Sequence, residues 1–164
     1  MEDLFGNDND AIFSDDRKYR YALWRLWDLS RPKVMFIGLN PSTANETDDD
    51  NTIKKVVKIA KYNGYGGVYM TNLFAWVTAY PEELKKCSNP QGSNNHWLIT
   101  ISGMCQDVVF AWGNFKEATE RAREVIENFT KFDAPKCIVQ NKNGSPKHPL
   151  YCKDESVLIP FINY

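Results

Sequence analysis

Four asparagines stand where apolar runs stop: Asn40 after VMFIGL, Asn72 after GVYMT, Asn114 after DVVFAWG and Asn141 after KCIVQ. A carboxamide donates and accepts hydrogen bonds at once. It can therefore pair with the mixed donor and acceptor edge of a nucleobase. Phe74, Trp76 and Trp112 follow or precede these amides in the chain and offer rings on which a single nucleotide could stack. Asparagine is also a common turn residue. Four of them at four run ends, rather than any one alone, point to a binding surface.

A second candidate is His148, in GSPKHPLY. Two prolines stiffen that segment, which suits a ring that must hold one N–H over a ligand oxygen. Lys142 and Lys147 flank the loop as phosphate partners, and Tyr151 closes it. Gly38, Leu39, Pro41 and Ser42 surround Asn40 and complete the expected ligand contacts. His96, beside Trp97 at a helix start, reads as a solvated or capping residue. The acidic run Asp48-Asp49-Asp50 resembles a magnesium site only in composition, because consecutive residues at a helix start diverge. Acids there already favour the helix dipole. Glu46 and Asp48 are reserve bases if they curl back over Asn40.

Several classes are excluded or disfavoured. There is no Gly-x-Gly-x-x-Gly, no P-loop and no nucleophile elbow. Cys87, Cys105, Cys137 and Cys152 lack metal-ligand spacing, and Cys105 and Cys137 read as small core residues. The net charge of -1 lacks the basic footprint of a duplex-binding protein. No window nears the ~18 apolar residues of a membrane span, and the N-terminus is unlike a signal peptide. A cytoplasmic protein is the expectation, with neither cofactor nor metal.

The elements that must position these residues follow from periodicity. Residues 1–16 read as a mobile acidic arm and 17–164 as one α/β domain, with 43% hydrophobic content to build a core. RKYRYALWRLWD opens as a strand, with a continuation as helix left open. Strands are expected over Lys33–Leu39, GVYMTNLF, DVVFAWG, KCIVQN and SVLIPF. Helices are expected from Asp50 or Asn51 to Asn63-Gly64, over Asn94–Cys105 and over Glu117–Phe129. Alternating strands and helices imply a three-layer sandwich with a mainly parallel central sheet of four to five strands. Ligands of such sheets bind beyond the strands' carboxyl ends.

Taken whole, the chain resembles the domain-of-unknown-function 1643 family, on RKYRYALWRLWD, FIGLNPSTA, NTI, YGGVYMTNLFA, AWG and NKNGSPKHPLY over residues 17–152. That family name implies no activity. More distantly, the motif order is similar to the uracil-DNA glycosylase superfamily, which implies a fold of that kind. On this resemblance Asn40 positions an attacking water, Asn72 reads the base edge and His148 stabilises the departing base. Leu150 stands where that family's last loop carries a serine. An amide at position 40 orients a water but cannot take its proton.

The expectation is a nucleobase- or nucleotide-binding protein, hydrolysing an N-glycosidic bond if it is an enzyme. Asn40 and His148 would be catalytic, and Phe74 or Trp112 would stack on the base. The partner is a nucleobase, a nucleotide or single-stranded nucleic acid. The alternative is a non-catalytic binder that sequesters a free nucleotide or nucleotide-derived signal, for example a phage or bacterial defence-related molecule. A third reading makes RYALWRLW a partner surface.

Overall fold

The computed structural model describes residues 7–130 and 134–163. Seven strands form one sheet in the order β1-β2-β4-β3-β5-β6-β7. They are β1 (Asn9–Phe13), β2 (Arg20–Leu26), β3 (Lys33–Gly38), β4 (Gly67–Asn72), β5 (Asp107–Phe110), β6 (Lys136–Cys137) and β7 (Ile159–Pro160). Helix α1 (Asn51–Tyr62) joins β3 to β4, α2 (Asn94–Ser102) lies between β4 and β5, and α3 (Thr119–Thr130) lies between β5 and β6.

The period-two pattern of β3 explains why it is apolar throughout. Val34 and Phe36 face a cluster containing Ile53, Val56, Ile59 and Ala60 of α1. Met35 and Ile37 face the opposite cluster, with Leu98 and Ile101 of α2 and Ala122, Val125 and Phe129 of α3. Helices therefore cover both sides of the sheet, and a strand buried on both faces has no position for a polar residue until it ends.

The expectation of a mainly parallel sheet of four to five strands is corrected. Strands β4-β3-β5-β6 are parallel neighbours, but β1-β2, β2-β4 and β6-β7 are antiparallel, so the seven-stranded sheet is mixed. The difference arises at the ends of the chain. Asn9–Phe13, inside the stretch expected to be an arm, pairs with β2, while residues 1–6 lie outside the described residues. RYALWRL is strand through Leu26 and largely buried between β1 and β4, so it is no partner surface. The runs read as strands to Phe74, Gly113 and Asn141 stop at Asn72, Phe110 and Cys137. Asp50 caps α1, its Oδ1 accepting from the Ile53 N–H at 2.9 Å, as a helix N-cap should. Cys137 is fully buried, whereas Cys105 is half-buried against the core. Among the described residues no helix is long and apolar enough to cross a membrane.

Candidate functional site

The carboxyl ends of β3 and β4 meet side by side, with Gly38 and Asn72 as register partners. Leu73 N–H donates to the Gly38 carbonyl at 2.8 Å and Phe74 N–H to that of Leu39 at 3.0 Å, so the pairing runs past the strands. From the helical side, Asn94 Nδ2 donates to the Asn72 carbonyl at 2.5 Å. Arg121 Nε donates to the Leu73 carbonyl at 2.9 Å. These bonds fix the backbone and leave the Asn72 side chain to face forward. Its Nδ2 is buried and, among the described residues, has no hydrogen-bond partner. A buried donor without a partner costs about 1–3 kcal/mol, which a water or a ligand bonded to it would recover.

Asn72 lines a hollow of about 30 Å³, together with Asn40, Ser42, Asp50, His148 and Arg20. Gly38, Leu39, Thr52, Ile53 and Met70 complete the wall. The three residues that sequence reading expected to converge, Asn40, Asn72 and His148, do so. The size corrects the expectation of a base-sized cavity behind Asn40. A hollow of this volume takes a water, which occupies about 30 Å³ in the liquid. It is far below the ~300 Å³ at which small-molecule pockets begin.

Each wall residue has a definite hydrogen-bonding state. Asn40 Nδ2 donates to the carbonyls of Thr78 at 2.8 Å and Pro41 at 3.0 Å, so Oδ1 is the atom left for a ligand. His148 Nδ1 accepts from the Leu150 N–H at 3.2 Å, which places the ring proton on Nε2. Burial holds the His148 imidazole below its usual range, against the opposing pull of Asp50, and the ring is neutral at pH 7. Arg20 is buried, with Nη1 donating to the Ala44 carbonyl at 3.1 Å and Nε without a partner among the described residues. Desolvation brings its guanidinium down to about 10, with Asp50 opposing and Arg25 adding to the fall, so it stays charged. Asp50 gives Oδ1 to the helix cap and also lines the hollow.

Other expected residues go elsewhere. Glu46 is held by Arg17 at 2.6 and 3.1 Å, and Asp48 accepts from Asn45 at 3.3 Å, so neither reserve base reaches the hollow. Asp49 takes Arg25 Nε at 2.8 Å. Phe74 and Trp76 are half-buried against the apolar core and line neither this hollow nor the larger cavity beside it. Trp112 is buried against Phe110, and with Asn114 it lines that larger cavity of about 470 Å³. Asn141 closes its own turn, with Nδ2 donating to Ser145 Oγ at 3.0 Å and N–H to the Ser145 carbonyl. Pro41 is buried beneath the strand end and its carbonyl accepts from Thr78 N–H. Lys142 is exposed and Lys147 half-buried; neither has an ion-pair partner among the described residues. Tyr151 is exposed and meets His148 edge to face at 6.1 Å, and His96 is exposed.

Sequence reading missed Arg20 and Asp50 as site residues. Arg20 sits in a strand left ambiguous, and Asp50 had already been given a structural role. A signal was present for Asp50: an N-cap directly after a strand-end loop lies at the carboxyl end of the sheet, where ligands bind. Burial pushes the Cys105 thiol up to about 12 and that of Cys137 up to about 11, which keeps both protonated and unreactive.

No curated protein and no solved structure matches the chain. Residues 20–150 match the family described as Protein of unknown function (DUF1643), and the chain belongs to that family.

Proposed function

We propose that this protein holds a nucleobase-bearing ligand at the carboxyl ends of β3 and β4, in a uracil-DNA glycosylase-like fold, and hydrolyses its N-glycosidic bond. The reading is carried by one observation: Asn40, Asn72 and His148, distant in sequence, line a single water-sized hollow together with a carboxylate, Asp50. The strand order supports it. The parallel strands β4-β3-β5-β6 run second, first, third, fourth, so the strand order reverses at β3, whose carboxyl end leads into Asn40. Ligands of open α/β sheets bind at such a reversal.

In this mechanism the hollow holds the attacking water. Asn40 Oδ1 accepts one of its hydrogen bonds, and Asp50 Oδ2 takes its proton as the water oxygen bonds to the anomeric carbon. The carbon–nitrogen bond breaks, and its electron pair leaves on the base nitrogen. His148 Nε2–H donates to the base as that charge grows, and Asn72 Nδ2 donates to a carbonyl oxygen on its edge. Asp50 thus supplies the proton acceptor that an amide at position 40 cannot, a contribution of about 10²–10⁴-fold.

The test is incubation with nucleosides, nucleotides and uracil-containing DNA, read by chromatography for released base. Release by the wild type, lost in Asp50→Asn with binding retained, is the expected result. A nucleotide that binds and is recovered intact would instead make the protein a sequestering binder. Absence of both binding and release overturns the reading.

A further inference from the structure

The hollow is too small for a ring, yet a cavity of about 470 Å³ is lined by Gly113, which packs against His148 of the hollow. The two share a partition. Ser145 and Pro146 line the larger cavity, while His148, two residues on, lines the hollow. Gly113, at the end of the β5 run, donates its N–H to the Pro146 carbonyl at 2.8 Å. A Cβ on Gly113 would lie 3.5 Å from His148 Cβ, so one residue's thickness separates the spaces there. Gly113 has φ +80°, a backbone state that side chains rarely adopt, so the partition carries no side chain at that point.

The larger cavity is built like a ring site. Trp112, Phe115, Ile126 and Phe161 contribute apolar surface, and the exposed Asn114 and Asn143 bring amides to its edge. Its volume falls in the ~300–1,000 Å³ range of small-molecule pockets, which combine apolar walls with a few polar groups. It sits beyond the carboxyl end of β5, across the strand reversal from Asn72.

We propose that one ligand spans both spaces: a nucleoside whose flat heterocycle lies in the larger cavity against Phe115 and Phe161, with its glycosidic bond passing over Gly113 to the water-sized hollow. This rests on the nucleobase reading above and moves the ring out of the hollow. Only an edge of the base then stays within reach of His148 and Asn72.

Thr119 is exposed and lines the larger cavity but not the hollow. Thr119→Trp therefore fills the ring site from a surface position. Binding of uridine and adenosine is measured by calorimetry on wild type, Thr119→Trp and Lys54→Ala, the last an exposed position lining neither space. Affinity should fall by about tenfold or more in Thr119→Trp and stay within about twofold in Lys54→Ala. Intermolecular NOEs from the H5 and H6 protons of bound uridine to the Phe115 and Phe161 rings provide a readout on the unmutated protein. Nucleoside bound with wild-type affinity by a folded Thr119→Trp, or with NOEs to neither ring, overturns this inference and leaves the nucleobase reading standing. Failure of the wild type to bind either nucleoside overturns this inference, and the nucleobase reading falls with it only if nucleotides and uracil-containing DNA are also neither bound nor cleaved.

Discussion

Gly38 and Asn72 face each other so closely that a Cβ on Gly38 would lie 2.8 Å from Asn72 Oδ1 and 2.6 Å from Met70 Cε. Both atoms are at the ends of side chains, so a methyl group at position 38 displaces them rather than the strands. The Asn72 amide would rotate away from the hollow. Gly38→Ala should cost about 1–3 kcal/mol, the usual penalty of overpacking, measured by urea denaturation. Ligand affinity should fall with it. A Gly38→Ala protein of unchanged affinity would remove Asn72 from the binding surface.

Asp50 has two separable duties, as helix cap and as proton acceptor. Asparagine caps a helix as well as aspartate does, whereas alanine forfeits about 0.5–2 kcal/mol. Asp50→Asn should therefore denature like the wild type, and Asp50→Ala should be weaker by that amount. Both should lose base release equally, since neither accepts a proton. If Asp50→Asn keeps full turnover, the carboxylate is a cap and nothing more.

How much of this was legible in the chain depends on what each residue's burial required. Val34 to Gly38 had to be a strand buried on both faces, and Ile53, Val56 and Ala60 share one helix face, so β3 and α1 follow from pattern alone. The convergence of Asn40, Asn72 and His148 follows from the rule that parallel strands end on one side. The antiparallel flanks do not. Asn9–Phe13 is short and only half-buried, with an acidic neighbourhood that reads as solvent, and its pairing with β2 is a long-range choice. Arg20 was illegible for a related reason. An arginine that alternates with tyrosines on a strand reads as solvent-facing, yet its head is buried under the loop carrying Ala44 and Asp50. The size of the hollow depends on side-chain packing, which spacing does not encode.

Asn40 is tied to a second loop through its amide. Its Nδ2 bond to the Thr78 carbonyl at 2.8 Å sits beside the Thr78 N–H bond to the Pro41 carbonyl at 2.9 Å, so two strand-end segments are stitched together. Loss of one such bond costs about 0.5–1.5 kcal/mol. Asn40→Ala should lose that stability, measured by thermal unfolding, and should lose turnover while keeping ligand affinity, since it takes the water's bond rather than the base's. Equal turnover in the folded variant would remove Asn40 from the mechanism.

His148 makes the site and the fold sensitive to mild acid. Its pKa in the folded protein lies below the 6.5 of an exposed imidazole, chiefly because burial disfavours the charged ring. The unfolded chain therefore binds more protons than the folded one as pH falls through 6.5, and the stability this ring contributes is present above 6.5 and lost below it as the folded pKa is passed. The carboxylates held low by hydrogen bonds, Asp16, Asp28, Glu46, Glu117 and Asp154, titrate in a more acidic range, so they do not obscure this window. Wild-type Tm should drop between about pH 7.5 and about pH 5.5, one unit either side of the unperturbed value. His148→Gln should flatten that slope, and base release should fall over the same window because the protonated ring loses Nδ1 as acceptor for the Leu150 N–H. A wild-type slope identical to that of His148→Gln would show that the ring does not titrate there.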